Sequence, residues 1–269
     1  MTTGPRTISH AGGGFAALFE ERIGARVDVS DLDLTAHPRE RIELARRVWQ
    51  DRVRTEFRSI QIMTRWLTEV VGAGDPLEVY AAAIDMIEDE VRHVGLTEQL
   101  VLALGGQAFL PDPIPLRDPA PYLAAPMAER ALTTAIQMLA INETISVAFI
   151  EDLHARCADP AVHRVLAATC EDEEGHQELG WTYVATSLAR FPRATLDSWR
   201  HLVKVTLEPH DAAATRALAD VPAARRALQH FAEPELAALG LFSPARQALV
   251  YERVRSEILE PKLRALELL

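Results

Sequence analysis

No region of this chain sustains the period-two alternation of a half-buried strand, and long stretches rich in Ala, Leu, Glu and Arg predict an all-α fold. Helices are expected near residues 38–71, 76–104, 126–157 and 160–190, closed by Phe191-Pro192-Arg193. Further helices are expected near 195–208, near 212–230 with a kink or restart at Pro222, and near 244–267, with breaks at Pro234 and Pro244. Residues 135–150 are apolar on nearly every face, the mark of a buried helix. Leu249, Val250, Val254, Ile258 and Leu259 form an apolar stripe on the last helix. Packing within the chain is the more economical use of that stripe, and a homodimer is the alternative.

Two segments resist helix. Residues 1–35, with Gly12-Gly13-Gly14, read as an irregular N-terminal arm. From Gly105 to Pro126, the prolines at 111, 113, 115, 119, 121 and 126 exclude regular helix and predict an extended strap. About 20 extended residues can span more than roughly 60 Å. The expected organisation is an arm (1–35), a helical bundle (36–192) and a helical C-terminal extension packed on it (193–269).

Gly72-Ala73-Gly74-Asp75-Pro76 combines a C-terminal glycine, an Asp N-cap and a proline at the first helical position, and Cys157-Ala158-Asp159-Pro160 repeats the Asp-Pro start. Residues equidistant from the turn of an antiparallel helix pair sit at the same depth. Glu56 and Glu90 are centred on residue 73, and Glu143 and Glu173 on residue 158. At a rise of about 1.5 Å per residue, both pairs lie roughly 22 to 25 Å from their turns. The second Glu of each pair opens a Glu-x-x-His motif, Glu90 with His93 and Glu173 with His176. Residues three apart share a helix face and can grip one ion. The candidate metal ligands are therefore Glu56, Glu90, His93, Glu143, Glu173 and His176.

With 24 Glu and 9 His in 269 residues, about 0.8 Glu-x-x-His matches are expected by chance. A third match, Glu151 with His154, is read as surface charge, because its mirror positions are Val165 and Val162. Glu143 lies inside the most apolar run, where an ionised carboxylate is costly unless paired or metal-bound. Glu56 has Val53, Phe57, Ile60 and Met63 nearby but also Arg52, Arg54 and Arg58, so a surface ion pair is its competing role. Each lone Glu is followed three positions later by Ser (Ser59, Ser146). Each motif Glu is preceded by Asp (Asp89, Asp172), which either orients a ligand His or faces solvent. Oxygen-rich donors with two imidazoles suit Fe or Mn, and the scarcity of thiolates argues against structural zinc and iron-sulfur clusters.

A formal charge of −11 argues against a broad nucleic-acid surface. Cys157 and Cys170 are too few for a disulfide scaffold, and Cys170, one turn before Glu173, reads as a small buried hydrophobe. With no signal-peptide core near the start and no charge-free span of membrane length, the expectation is a cytoplasmic protein without a membrane partner. His10, His37, His163, His201, His210 and His230 have no interpretable spacing and are expected at the surface. Tyr183 and Trp181 are expected in core packing.

Glu56, Glu90-x-x-His93, Glu143 and Glu173-x-x-His176 together resemble the pattern of the ferritin-like di-metal carboxylate superfamily, over roughly residues 39–190. The resemblance implies a four-helix bundle with a long crossover between helices 2 and 3. It also implies two Fe ions, with Mn or mixed Fe/Mn as the alternative. Glu56, Glu90 and His93 would serve one ion and Glu143, Glu173 and His176 the other, with Glu90 and Glu173 bridging. The implied activity is an O2-activating di-iron oxidoreductase that oxidises a small organic substrate and draws on an electron donor. A ferroxidase or iron-handling protein is the alternative, and a scaffold that uses metal only for stability is a third. About 75 residues beyond the bundle argue against a plain iron store. Thr169 and Cys170 stand in the turn before Glu173, where di-iron N-oxygenases add a His, so that subclass loses support. Acyl-carrier-protein desaturases, aldehyde-deformylating oxygenases and manganese catalases share the six-ligand pattern.

Overall fold

The computed structural model describes residues 6–24, 26–110, 118–173, 175–219 and 231–269. Pro111, Pro113, Pro115, Glu174, Pro222 and His230, each part of an expectation above, lie outside the described residues. The described chain is all-helical apart from one pair of two-residue strands. Its elements are β1 (Arg6–Thr7), α1 (Gly13–Ile23), α2 (Arg39–Ala73), α3 (Leu77–Ala103), β2 (Phe109–Leu110) and α4 (Ala120–Ala124). There follow α5 (Met127–Arg156), α6 (Pro160–Glu173), α7 (His176–Leu188), α8 (Leu196–Ala219), α9 (Glu233–Ala237), α10 (Pro244–Val254) and α11 (Glu260–Ala265). The chain clusters into two compact units, one of residues 1–125 with 159–169 and the other of 126–158 with 170–269.

In the first unit α2 and α3 form a hairpin. Gly74 ends α2 in the left-handed region (φ 72°, ψ 34°), and its N–H caps the carbonyls of Val70 and Val71. Pro76, rather than Asp75, directly precedes α3. Trp49, Trp66, Met63, Leu96 and Leu100 fill the core here, and each contributes about 1.5–3 kcal/mol of burial free energy. Asp159 caps the start of α6, accepting from the N–H groups of Ala161 (2.9 Å) and Val162 (3.1 Å).

The N-terminal arm is more ordered than expected. Arg6 and Thr7 pair antiparallel with Leu110 and Phe109, and the Gln50 side chain holds Phe109 at both its N–H (2.9 Å) and its carbonyl (2.8 Å). Helix α1 follows between Gly12 and Gly24. A strand partner about 100 residues away supplies the order, and local sequence does not reveal it. The expected strap likewise holds β2 and α4. Pro119 and Pro121 sit at the start of α4, where a missing N–H costs nothing.

In the second unit α5 is long and apolar enough by composition to cross a membrane, with 61% of its most apolar stretch buried inside the structure. It is not uniformly α-helical. Residues Ala135–Asn142 form a π-helical segment directly before Glu143. The expected helix 160–190 is divided into α6, ending at Glu173, and α7, beginning at His176. The expected gap at 209–211 is absent: α8 runs unbroken through Pro209, which is exposed. Val203, Leu207 and Ala214 on either side are buried, so tertiary packing overrides the lost hydrogen bond. The C-terminal helices pack on α5. Buried Asp152 of α5 takes Arg156 (2.7 Å) and Arg246 of α10, and Phe149 meets Phe242 edge-on at 5.6 Å. Burial opposes ionisation of Asp152, yet the two guanidinium groups outweigh it and hold the carboxyl below its ordinary value.

Candidate metal centre

Each unit gathers one half of the expected ligand set. In the first, Glu56 comes from α2, and Glu90 and His93 lie one turn apart on α3. His93 Nδ1 is 3.9 Å from Glu56 Oε2 and 3.7 Å from Glu90 Oε2, and the three residues offer donor atoms all within 4.8 Å of one another. His93 is fully buried, Glu90 is 2% exposed and Glu56 is half-buried.

In the second unit, Glu143 opens the α-helical part of α5, Glu173 ends α6 and His176 begins α7. His176 Nδ1 lies 3.3 Å from Glu143 Oε1 and 3.0 Å from Glu173 Oε2. All three are buried. Although the helix is divided at this motif, Glu173 and His176 remain in contact, and His176 Nδ1 is the common neighbour of both carboxylates.

Donors bound to a single ion at about 2.1 Å lie about 3.0–3.4 Å apart in octahedral or tetrahedral geometry. In the second group the two carboxylate distances to His176 Nδ1 have that spacing, and in the first the two distances to His93 Nδ1 are within half an ångström or so of it. Carboxylate oxygens with one imidazole nitrogen form a hard, anionic donor set that fits Fe(II) or Mn(II).

Packing one turn away sets the second group. Gly180 lies one turn beyond His176 and Leu139 one turn before Glu143. A Cβ built on Gly180 would overlap the Leu139 carbonyl and stand 2.8 Å from the Ala140 nitrogen. Next to it, Trp181 Nε1 donates to Thr144 Oγ1 (2.9 Å). The π segment is braced by Asn142, whose Nδ2 donates to the Gln137 carbonyl (2.7 Å) five residues back. Asn142 Oδ1 in turn meets His210 Nε2 at 2.9 Å. His210 is half-buried, stacked at 5.6 Å on Tyr251, and burial lowers its pKa against the opposing field of Asp211. Tyr251 donates to Asp211 (2.5 Å), and burial pushes its own pKa upward.

Several expectations change here. His210 is not a surface residue but a brace for the π segment. His37 is half-buried against Arg41 (3.3 Å), whereas His10 is exposed as expected while its Nε2 lies 3.0 Å from Glu98 Oε2. Contacts across 68 and 88 residues leave no spacing signal, although an Asn inside the apolar run at 135–150 and a Gly inside a helix at 180 were visible cues. Glu151 is exposed, as is Ser146; Ser59, Asp89, Asp172 and Cys170 are half-buried. Burial, together with the charges of Glu151, Glu173 and Glu171, pushes the Cys170 thiol up to about 11. Trp181 and Tyr183 are buried core residues, and Tyr183 accepts from Arg190 at 3.1 Å.

No protein-family model, no curated protein and no solved structure matches this chain.

Proposed function

We propose that this protein is a ferritin-like di-metal carboxylate oxidoreductase that activates O2 against a small organic substrate. Glu56, Glu90 and His93 would hold one ion and Glu143, Glu173 and His176 the other. A four-helix bundle with a crossover at 105–126 is part of the same proposal. The observation that carries it is the repetition of one donor set, a lone Glu with a Glu-x-x-His pair, converging on a buried imidazole Nδ1 at 3.0–3.9 Å in each unit.

When bound, a pair of Fe(II) or Mn(II) ions supplies two electrons for the reduction of O2. The chain's own contribution is placement. In each group the carboxylates surround the imidazole Nδ1, the ring nitrogen that His93 and His176 would offer to an ion. Burial excludes water from that cluster and strengthens every charge interaction within it. Four carboxylates carry a charge of −4, which two divalent ions balance.

Anaerobic loading with Fe(II), metal counting, Mössbauer spectroscopy and stopped-flow mixing with O2 test the reading. Two iron atoms per chain, magnetically coupled and oxidised together, are expected. Uptake of none would show that the Glu–His groups are structural ion pairs. Oxidation of many Fe(II) per chain would make iron itself the substrate.

A further inference from the structure

The first unit contains a cavity of about 420 Å³ that the metal chemistry does not use. Its walls include Phe57 and Ile60 of α2, Val91 and Val94 of α3, and Phe15 and Phe19 of α1. Ile60 is one turn beyond Glu56 and Val94 one turn beyond Glu90, so the apolar wall begins where the donor cluster ends. At this volume the cavity falls in the range of small-molecule sites, roughly 300–1,000 Å³.

The polar lining balances acids against bases. Glu98, buried, receives His10 Nε2 at 3.1 and 3.0 Å on its two carboxylate oxygens, and Glu20, Arg26 and Ser9 line the same cavity. An acid and a base side by side disfavour a ligand head carrying net charge of either sign. They suit a neutral head that both donates and accepts, such as a hydroxyl.

The cover is α1. It contains no buried residue, and Phe15 is 75% exposed although it lines the cavity. Phe19 rests over Gly95, where a Cβ would stand 3.7 Å from the ring. Glycines at positive φ, Gly12 (69°) and Gly24 (91°), stand at the two ends of the helix, and Arg22 ties it to Glu88 at 2.8 Å. A helix with large aromatics and no core of its own is best satisfied by apolar material beneath it.

We infer that this cavity binds a neutral molecule with an apolar body and a single hydroxyl-type head, the head at Glu98–His10 and the body under Phe15 and Phe19. That this occupant is the molecule oxidised rests on the di-metal proposal above; the binding does not.

Calorimetric titration of the full chain with 1-octanol, octanoate and octylamine, with and without Fe(II), tests the inference. Octanol is expected to bind with or without iron, and the two charged analogues at least tenfold more weakly. Val94→Trp, which fills the cavity, and Phe19→Ala, on a helix outside the core, are each expected to weaken octanol at least tenfold while leaving the iron count unchanged. Glu98→Ala should abolish the preference for the neutral head. Absence of octanol binding, equal binding of all three heads, or full affinity in Phe19→Ala would overturn the inference. Octanol binding to a chain that takes up no iron would sink the di-metal proposal alone.

Discussion

Gly180 packs against the carbonyl of Leu139 so closely that the two helices leave no room for a Cβ. This contact lies one turn from the meeting of His176 and Glu143 at 3.3 Å, so the same approach that needs a glycine brings the imidazole to the carboxylate. Gly180→Ala should therefore separate α5 from α7, at a cost of about 1–3 kcal/mol or more for overpacking against backbone. Chemical denaturation reads the stability. Metal counting should show loss of the ion held by Glu143, Glu173 and His176 with the first group retained.

Glu143 and Glu151 are eight residues apart on one helix, the first buried and the second exposed. Glu143→Ala should remove or cripple one metal site, whereas Glu151→Ala should leave metal content unchanged. Equal loss from both variants would assign the wrong carboxylate. Plasma emission analysis of the loaded proteins is sufficient to decide.

His210 should make stability pH-dependent. Its pKa is lowered in the folded protein from an ordinary value of 6.5, so below 6.5 the unfolded chain takes up a proton that the folded chain resists. Stability is full above that pH and declines as pH falls from 6.5 through the folded value. His37, also lowered by burial and by Arg41, adds to the same slope. Denaturation midpoints at pH 7.5 and 5.5 should differ by less in His210→Gln than in the parent.

Cys170 should be a poor nucleophile. With its thiol pushed up to about 11, the thiolate at pH 8 is about one part in a thousand, roughly a hundredfold below an ordinary thiol. Iodoacetamide labelling followed site by site in a mass spectrometer should show Cys170 reacting about a hundredfold more slowly in the folded chain than in urea. Comparable rates would contradict the buried, acid-flanked setting.

The helical class, the two turns near residues 74 and 158 and the nearness of Glu56, Glu90 and His93 were legible along the chain, because each follows from local rules. Helix periodicity places i and i+3 on one face, Gly and Pro end and start helices, and reflection through a short turn equates depths in a hairpin. The strand at the N-terminus, the passage of α8 through Pro209, the π segment before Glu143 and the pairing of His10 with Glu98 were not legible. Each is decided by a partner 68 to more than 100 residues away or by packing that outweighs a local preference. Sequence spacing therefore named candidate ligands and helix ends, and contact between distant segments determined where the helices bend and how closely they approach. It also determined what lies beneath α1.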